Sequence, residues 1–332
     1  MVLHGDQPCC AIEKQKMTVT HSTLAFIFPG QGSQSQGMLA ELAQHFPIVQ
    51  ETFNEASATL GYDLWEVIQE DPNGQLNQTE FTQPAMLAAG ISAWRVWCTS
   101  TEARPSILAG HSLGEYSALV ASGALEFGAA LQLVQKRGQL MQVAVPKGIG
   151  AMAAVLGLSD EDVVSVCRNA SDSHHSVEAA NFNAPGQVVI AGHTEAVERA
   201  IELAKTNGAK RAILLPVSVP SHCALMREAA CAFSAELEKI DIQVPAIPVI
   251  HNVDVDRHEG ALEIRDALAK QLYGSVRWTE TVRAMVTDGV EQLVECGPGK
   301  VLQGLNKRID ANVVSESIFD QGSLTKALGL LV

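Results

Sequence analysis

The sequence predicts an α/β fold: a hydrolase-like α/β body with a mostly parallel sheet, and an inserted ferredoxin-like small subdomain. Three observations predict it. Residues 106–109 form an apolar run that ends in the turn GHSLG and leads into a helical pattern. Residues 24–28 form a second apolar run, before the turn PGQGSQ. Residues 146–217 alternate extended and helical patterns in the order βαββαβ, which is typical of ferredoxin-like modules.

The turn GHSLG places Ser112 between Gly110 and Gly114, after a strand and before a helix. In GxSxG elbows the glycines permit a strained turn, so the serine hydroxyl projects from the carboxyl end of the strand. The free N–H groups and the positive dipole end of the next helix would stabilise an acyl oxyanion there. We interpret Ser112 as a nucleophile. The alternative is a serine that only caps the helix.

The first strand and its turn, residues 24–34, are followed by a helical pattern from about Met38. This order suggests a dinucleotide site, but Ser35 occupies the position of the third glycine of GxGxxG, so that fingerprint fails. The turn could instead direct N–H groups into an active site, with Gln31 as the residue of interest. A plain β-turn is the alternative.

Helical apolar spacing continues over 37–104, broken by the turn residues 71–74, and these helices are predicted to cover the sheet. A further helix is predicted over 127–145. It carries Arg137 on a largely uncharged stretch. From its spacing alone, Arg137 is either a ligand-binding residue or a solvated arginine.

The small subdomain is placed at 146–217. Its predicted strands cover 151–158, 177–183, 187–191 and 212–219, and its predicted helices cover 159–170, capped by Ser159, and 194–207. The large subdomain then consists of 21–145 and 218–332. Residues 1–20 lack the basic start and apolar stretch of a signal peptide, so we expect a disordered leader or extension there.

His222 follows the strand predicted at 212–219 and falls in the first turn of the next amphipathic helix. A helix N-terminus disfavours imidazolium, which would keep His222 neutral and able to accept a proton. Alternatively, His222 only caps the helix. His251, after a predicted strand at 247–250, is the second candidate for the base. Further helices are predicted at 262–273, 278–287 and 301–309, with a strand at 290–295.

Composition limits the functional classes. A net charge of −14 argues against nucleic acid as a bulk partner, because phosphate binding needs a positive surface. No apolar window is long enough for a transmembrane helix, so no membrane partner is expected. The seven cysteines lack metal-ligand spacing and indicate reduced thiols of a cytoplasmic protein. No metal and no cofactor are expected.

Six segments carry a resemblance to a known family. They are FPGQGSQ, GHSLGEY, QKRGQLM, FNAPGQVVIAG, VPSHCALM and VECGPGKVL, in that order. The sequence resembles the bacterial malonyl-CoA:acyl-carrier-protein transacylases of type II fatty acid synthesis over about 24–309. The resemblance implies an acyltransferase whose substrates are malonyl-CoA and acyl carrier protein, with the CoA thioester as a substrate rather than a cofactor.

The resemblance also implies roles for individual residues. Ser112 would be the acylated serine and His222 its general base, oriented by the backbone carbonyl of Gln271 instead of a carboxylate. The backbone N–H groups of Gln31 and Leu113 would form the oxyanion hole. Arg137 would bind the free carboxylate of the malonyl group, because its planar fork can bind a carboxylate bidentately.

Other readings remain open. An α/β-hydrolase esterase or thioesterase shares GxSxG but orders its triad as serine, acid, histidine. A catalytically inactive carrier-binding scaffold and an acyltransferase of a polyketide pathway are further alternatives. Because carrier proteins are acidic, docking on this acidic chain needs a local basic patch. The candidate residues for that patch are Lys300, Lys307 and Arg308, or Lys210 and Arg211.

Overall fold

The computed structural model describes residues 21–217 and 219–331, so the leader predicted at 1–20 lies outside the described residues. The described residues form nine strands: β1 (Leu24–Phe28), β2 (Ile107–Gly110), β3 (Gly150–Leu156), β4 (Val177–Ala184), β5 (Gln187–His193), β6 (Arg211–Leu214), β7 (Val249–Ile250), β8 (Gln292–Cys296) and β9 (Val314–Ile318).

The same residues form thirteen α-helices: α1 (Ala40–His45), α2 (Pro47–Leu60), α3 (Leu64–Gln69), α4 (Thr79–Ser100), α5 (Gly114–Ala121), α6 (Phe127–Ala144), α7 (Asp160–Ala170), α8 (Thr194–Thr206), α9 (Arg227–Leu237), α10 (Ala261–Gln271), α11 (Trp278–Thr287), α12 (Val301–Ile309) and α13 (Gln321–Leu328). Short 3-10 turns lie at Ala224–Met226 and Gly329–Leu331. None of the described helices is long and apolar enough to cross a lipid bilayer.

The large sheet is parallel throughout, with the strand order β7-β2-β1-β8-β9. β1 lies at its centre, and its side chains alternate between the two faces: Phe26 and Phe28 belong to one core cluster and Ala25 and Ile27 to the other. Because the strands are parallel, the loops after β1, β2 and β7 all leave from one edge. The functional residues of the large sheet are brought together at that edge.

The small sheet is antiparallel, with the order β4-β5-β3-β6. One face packs on α7 and α8 through an apolar cluster that includes Val155, Val166 and Val197. The side chain of Ser159 accepts from the N–H of Asp162, so the predicted cap of α7 is confirmed. The mixed α/β architecture, with a mostly parallel sheet and a smaller second sheet, is therefore confirmed.

Two predicted boundaries are wrong. The strand predicted at 212–219 ends at Leu214, because Pro216 and Pro220 have no N–H to continue a ladder. The helix predicted to contain His222 in its first turn begins only after that residue, with a 3-10 turn at Ala224–Met226 and then α9. His222 lies in the intervening loop, with a positive φ of 62°.

Candidate active site

The elbow after β2 holds Ser112 at a φ of 52°, a conformation that side chains other than glycine rarely adopt. Two close backbone approaches make the flanking glycines necessary. A Cβ on Gly110 would lie 1.9 Å from the carbonyl carbon of Gly114, and a Cβ on Gly114 would lie 2.0 Å from the carbonyl oxygen of Phe28. The local sequence therefore folds into a tight turn with the serine at its apex.

Ser112 and His222, 110 positions apart in the chain, meet in the structure: Oγ of Ser112 lies 2.7 Å from Nε2 of His222. The other ring nitrogen, Nδ1, lies 2.7 Å from the backbone carbonyl oxygen of Gln271. Because a carbonyl only accepts, the proton is on Nδ1 and Nε2 is left as an acceptor for the serine hydroxyl. This arrangement suits a neutral histidine that removes a proton from the serine.

Burial and, to a smaller extent, the nearby positive charge of Arg137 lower the pKa of His222 from its ordinary value of 6.5 to about 3. The hydrogen bond to the carbonyl of Gln271 acts in the opposite direction. A helix N-terminus was the predicted reason for a neutral histidine, and that reason is wrong because α9 begins further along the chain. Desolvation is the larger cause.

Arg137 is almost fully buried, with 1% of its surface exposed, so it is not a solvated helix arginine. Its Nη1 donates to Oε1 of Gln83 (2.9 Å) and its Nη2 donates to Oε1 of Gln271 (3.0 Å). The guanidinium carbon lies 5.5 Å from the ring centroid of Tyr116. Among the described residues its Nε has no hydrogen-bond partner. The guanidinium is thus held by neutral amide oxygens, and its Nε–H is left as an unused donor.

Gln31 lies in the loop after β1, which packs against the elbow. A Cβ on Gly30 would be 2.5 Å from the carbonyl oxygen of His111, so the loop approaches the elbow more closely than another residue there would allow. Within 21–217 and 219–331, the backbone N–H groups of Gln31 and Leu113 donate no hydrogen bond to protein. The Gln31 side chain is exposed and lies 3.4 Å from Oγ1 of Thr79.

The rival base, His251, does not contact Ser112. It is completely buried, and its Nδ1 lies 2.7 Å from Oε1 of Glu115. The next residue, Asn252, supports the elbow instead: its Oδ1 accepts from the N–H of Ser112 (2.6 Å) and its Nδ2 donates to the carbonyl of Gly110 (2.6 Å). The sequence reasoning chose between two histidines and missed this asparagine.

Three further buried side chains were missed: Gln83, Glu115 and the side-chain amide of Gln271. Glu115 could have been found, because a charged residue in the first turn after GxSxG stands in an otherwise apolar helix, GEYSALVA. Gln83 lies within α4, where nothing in the spacing separates it from surface glutamines. Its role is visible only in its contact with Arg137.

The small sheet also reaches the elbow. Oδ1 of Asn183, on β4, lies 2.8 Å from Nε2 of His111, directly before the serine. Burial lowers the pKa of His111. The opposite face of the small sheet from α7 and α8 carries Met152 and Ala191, which pack with Cys223 beside the histidine base. Both sheets therefore contribute residues around the elbow.

Comparisons with known proteins identify the family. The profile of the family described as "Acyl transferase domain" matches residues 25–318. The malonyl CoA-acyl carrier protein transacylase of Escherichia coli K12 is 53% identical over 306 residues, covering 92% of this chain and 99% of that protein.

Solved structures with the same overall fold belong to similar proteins. An acyl carrier protein S-malonyltransferase from Vibrio cholerae has a TM-score of 0.90 and 54% identity, covering 92% of this chain and 99% of that one. A malonyl-transacylase in complex with its type II PKS acyl-carrier protein has a TM-score of 0.91 and 52% identity, covering 93% and 100%.

Proposed function

The chain belongs to the malonyl CoA-acyl carrier protein transacylases of the acyl transferase domain family, and from this we propose that it transfers malonyl from malonyl-CoA to the pantetheine thiol of an acyl carrier protein. One observation carries the proposal: the hydrogen-bonded chain from Ser112 through His222 to the Gln271 carbonyl lies beside a buried arginine with an unused donor. A nucleophile, its base and a carboxylate-binding group are thereby combined.

In the first half-reaction, Nε2 of His222 removes the proton from Ser112 as the serine oxygen attacks the thioester carbonyl carbon. The tetrahedral intermediate collapses with cleavage of the carbon–sulfur bond. The CoA thiolate leaves and takes the proton from the imidazolium. A malonyl ester on Ser112 remains.

The oxyanion of that intermediate is stabilised by the backbone N–H groups of Gln31 and Leu113. Two observations support this role: neither N–H group donates a hydrogen bond to another described residue, and the loop at Gly30 packs onto the elbow. Loss of one such donor typically costs about 3–4 kcal/mol of transition-state stabilisation.

The substrate's far carboxylate is bound by Arg137. The guanidinium is held in place by amide oxygens that carry no charge, so its own charge is left for the ligand. An acetyl group offers nothing to pair with it, and the buried charge then disfavours that substrate.

In the second half-reaction the carrier's pantetheine thiol enters, and His222 removes its proton. The thiolate attacks the malonyl ester, and the serine oxygen takes the proton back. The kinetics are ping-pong. Each proton and acyl transfer is assigned to a side chain or a substrate, so the proposal includes no cofactor and no metal.

We assign carrier docking to the exposed basic residues Lys300, Lys307 and Arg308 on and before α12, with Lys210 and Arg211 at the start of β6 as a second patch. Arg308 also contacts Gln187 and Pro185 of the small subdomain. An acidic carrier would be attracted to such a local patch despite the net charge of −14.

The finer architecture forms part of the proposal. The strand order β4-β5-β3-β6 supports a ferredoxin-like subdomain at 146–217. The strand, elbow and helix around Ser112 support a hydrolase-like body formed by 21–145 and 218–332. A cytoplasmic location is supported by Cys98, Cys167, Cys223, Cys231 and Cys296, which are free thiols.

The deciding experiment incubates the enzyme with malonyl-CoA alone and measures CoA release. A transacylase releases one equivalent and stops until a thiol acceptor is added, with malonate covalently bound at Ser112 by mass spectrometry. Continuous release identifies an esterase or thioesterase instead. Ser112→Ala is the control and releases no CoA. The absence of any labelling at Ser112 contradicts the proposal.

A polyketide pathway is the second candidate, favoured by the similarity to the transacylase solved with a type II PKS acyl-carrier protein. Both candidates share the chemistry at Ser112. Parallel kcat/KM measurements with a fatty acid carrier and a polyketide carrier separate them, because the native carrier gives the higher value.

A further inference from the structure

The side-chain amide of Gln271 lies between the guanidinium of Arg137 and a buried carboxylate. Its Nε2 donates to Oε2 of Glu115 (2.8 Å) and to the carbonyl oxygen of Ser112 (2.9 Å). Its Oε1 accepts from Nη2 of Arg137 (3.0 Å). One amide therefore connects the elbow, the guanidinium and the carboxylate, while the backbone of the same residue holds His222.

Only one orientation of this amide satisfies all of its neighbours. If it were flipped end for end, its carbonyl would face two acceptors, and its NH2 would face a guanidinium, which has only donors. The carboxylate of Glu115 cannot donate, so it excludes the flipped amide. Arg137 then always meets an oxygen at this position.

Glu115 is itself held firmly. It lies in the first turn of α5, is completely buried, and also accepts from the N–H of Asn252 (3.0 Å). In the described part of the chain Nε2 of His251 has no partner, so the proton of that ring is on Nδ1 and is donated to Glu115. Three N–H donors converge on one carboxylate. Burying a carboxylate is costly, and among the described residues no arginine or lysine forms an ion pair with Glu115.

We propose that Glu115 is a positioning residue for substrate selection: it fixes the Gln271 amide, which in turn holds the Arg137 guanidinium for the substrate carboxylate. The inference rests on the proposed function, since it concerns how Arg137 meets malonyl. A carboxylate in direct contact with the guanidinium would compete with the substrate. The Gln271 amide lies between the two groups, so Glu115 does not contact the Arg137 guanidinium. Glu115 orients the amide, and the amide oxygen in turn orients the guanidinium.

The test is Glu115→Gln, which keeps the shape but removes the charge and can present an NH2 to Gln271, so that one of the restraints on the amide's orientation is lost. We expect the rate of Ser112 acylation by malonyl-CoA to fall about tenfold, the worth of one hydrogen bond to a charged group. Acylation by acetyl-CoA, which has no carboxylate, falls much less. The malonyl-to-acetyl ratio therefore falls.

A double-mutant cycle with Arg137→Ala separates positioning from stability. If Glu115 acts through Arg137, the Gln substitution has little further effect on malonyl acylation once Arg137 is absent. Glu295→Gln is the matched control. That carboxylate is equally buried but accepts from the N–H groups of Leu302 and Gln303 at the start of α12, so its loss leaves the ratio unchanged.

An unchanged ratio in Glu115→Gln, or additive effects in the cycle, overturns the proposal. If that variant does not fold, Gln271→Met decides, because it keeps the backbone carbonyl on His222 and removes only the amide. A retained ratio in this second variant also overturns it. The proposed function fails separately, if the wild-type enzyme is not acylated by malonyl-CoA at all.

Discussion

Replacement of Arg137 by alanine tests how the site distinguishes a dicarboxylic acyl group from a simple one. The substitution removes a buried guanidinium that no carboxylate contacts in the described structure, so only the substrate's carboxylate is deprived of a charged partner. The hydrogen bonds of the serine–histidine pair are retained, since neither Ser112 nor His222 is hydrogen-bonded to the guanidinium.

The magnitude follows from the geometry of the guanidinium. A bidentate contact supplies two hydrogen bonds to a charged group, each typically about 1.5–3 kcal/mol. Even at the lower end the sum is about 3 kcal/mol, which corresponds to about a hundredfold in the acylation rate. Acetyl-CoA makes neither bond, so its acylation rate stays the same or rises as the unpaired buried charge is removed.

The assay compares stopped-flow acylation of Ser112 by malonyl-CoA and by acetyl-CoA, in wild type and in Arg137→Ala. Acetyl acylation serves as the internal control for folding. Arg137→Lys is the matched variant, and it recovers part of the malonyl rate because it restores the charge without the fork. A hundredfold loss with both substrates, or no change in the ratio, would refute the reasoning.

Further predictions concern the histidine base, the oxyanion hole and the docking surface. With the pKa of His222 at about 3, the histidine is already neutral at pH 5, so the acylation rate measured by rapid quench stays flat from pH 5 to 8. Because the pKa of His222 is lower in the folded state, its contribution to the free energy of unfolding is complete above pH 6.5 and is lost as pH falls toward 3. In denaturant melts at a series of pH values, His222→Ala therefore shows a smaller loss of stability between pH 6.5 and 3. Gly30→Ala places a Cβ 2.5 Å from the carbonyl oxygen of His111. The loop must then shift, which moves the N–H of Gln31 and lowers the acylation rate about a hundredfold. Gly304→Ala has open space around its Cβ and instead raises the free energy of unfolding by about 0.5–1 kcal/mol. Lys307→Glu with Arg308→Glu raises the carrier's KM and leaves CoA-side acylation unchanged.

Each of these has a contrary outcome. A rate that falls along a single titration near pH 6.5 would show an unperturbed histidine. Full activity in Gly30→Ala would remove the Gln31 N–H from the oxyanion hole. For docking, the control is Lys326→Glu, an exposed lysine on α13. An equal rise in the carrier's KM there would mean that net charge, and not the patch, controls binding.

The sequence predicted the parts of the fold that depend on local pattern. The elbow at Ser112, the cap at Ser159 and the order βαββαβ were visible because glycine spacing, capping residues and hydrophobic periodicity are local signals. The strand end predicted at Val219 is wrong, since the apolar spacing continues past Pro216, which has no N–H for the ladder. The last strand and helix, β9 and α13, were not predicted at all.

The sequence could not predict contacts that depend on topology. Arg137 and Glu115 are far from Gln271 in the chain and contact it only because α10 ends beside the elbow at Ser112. Similarly, Asn252 supports Ser112 because β7 lies beside β2. No spacing rule connects residues whose proximity is set by strand order.

The acceptor that orients His222 is the backbone carbonyl of Gln271, so a change of side chain at that position does not remove it. No exchange of the amino acid at position 271 deletes a peptide oxygen, so a saturation screen at that codon reports only on the amide side chain. The base is thus protected from loss of its anchor by point mutation. Only a change that shifts the path of the backbone after α10 could release it.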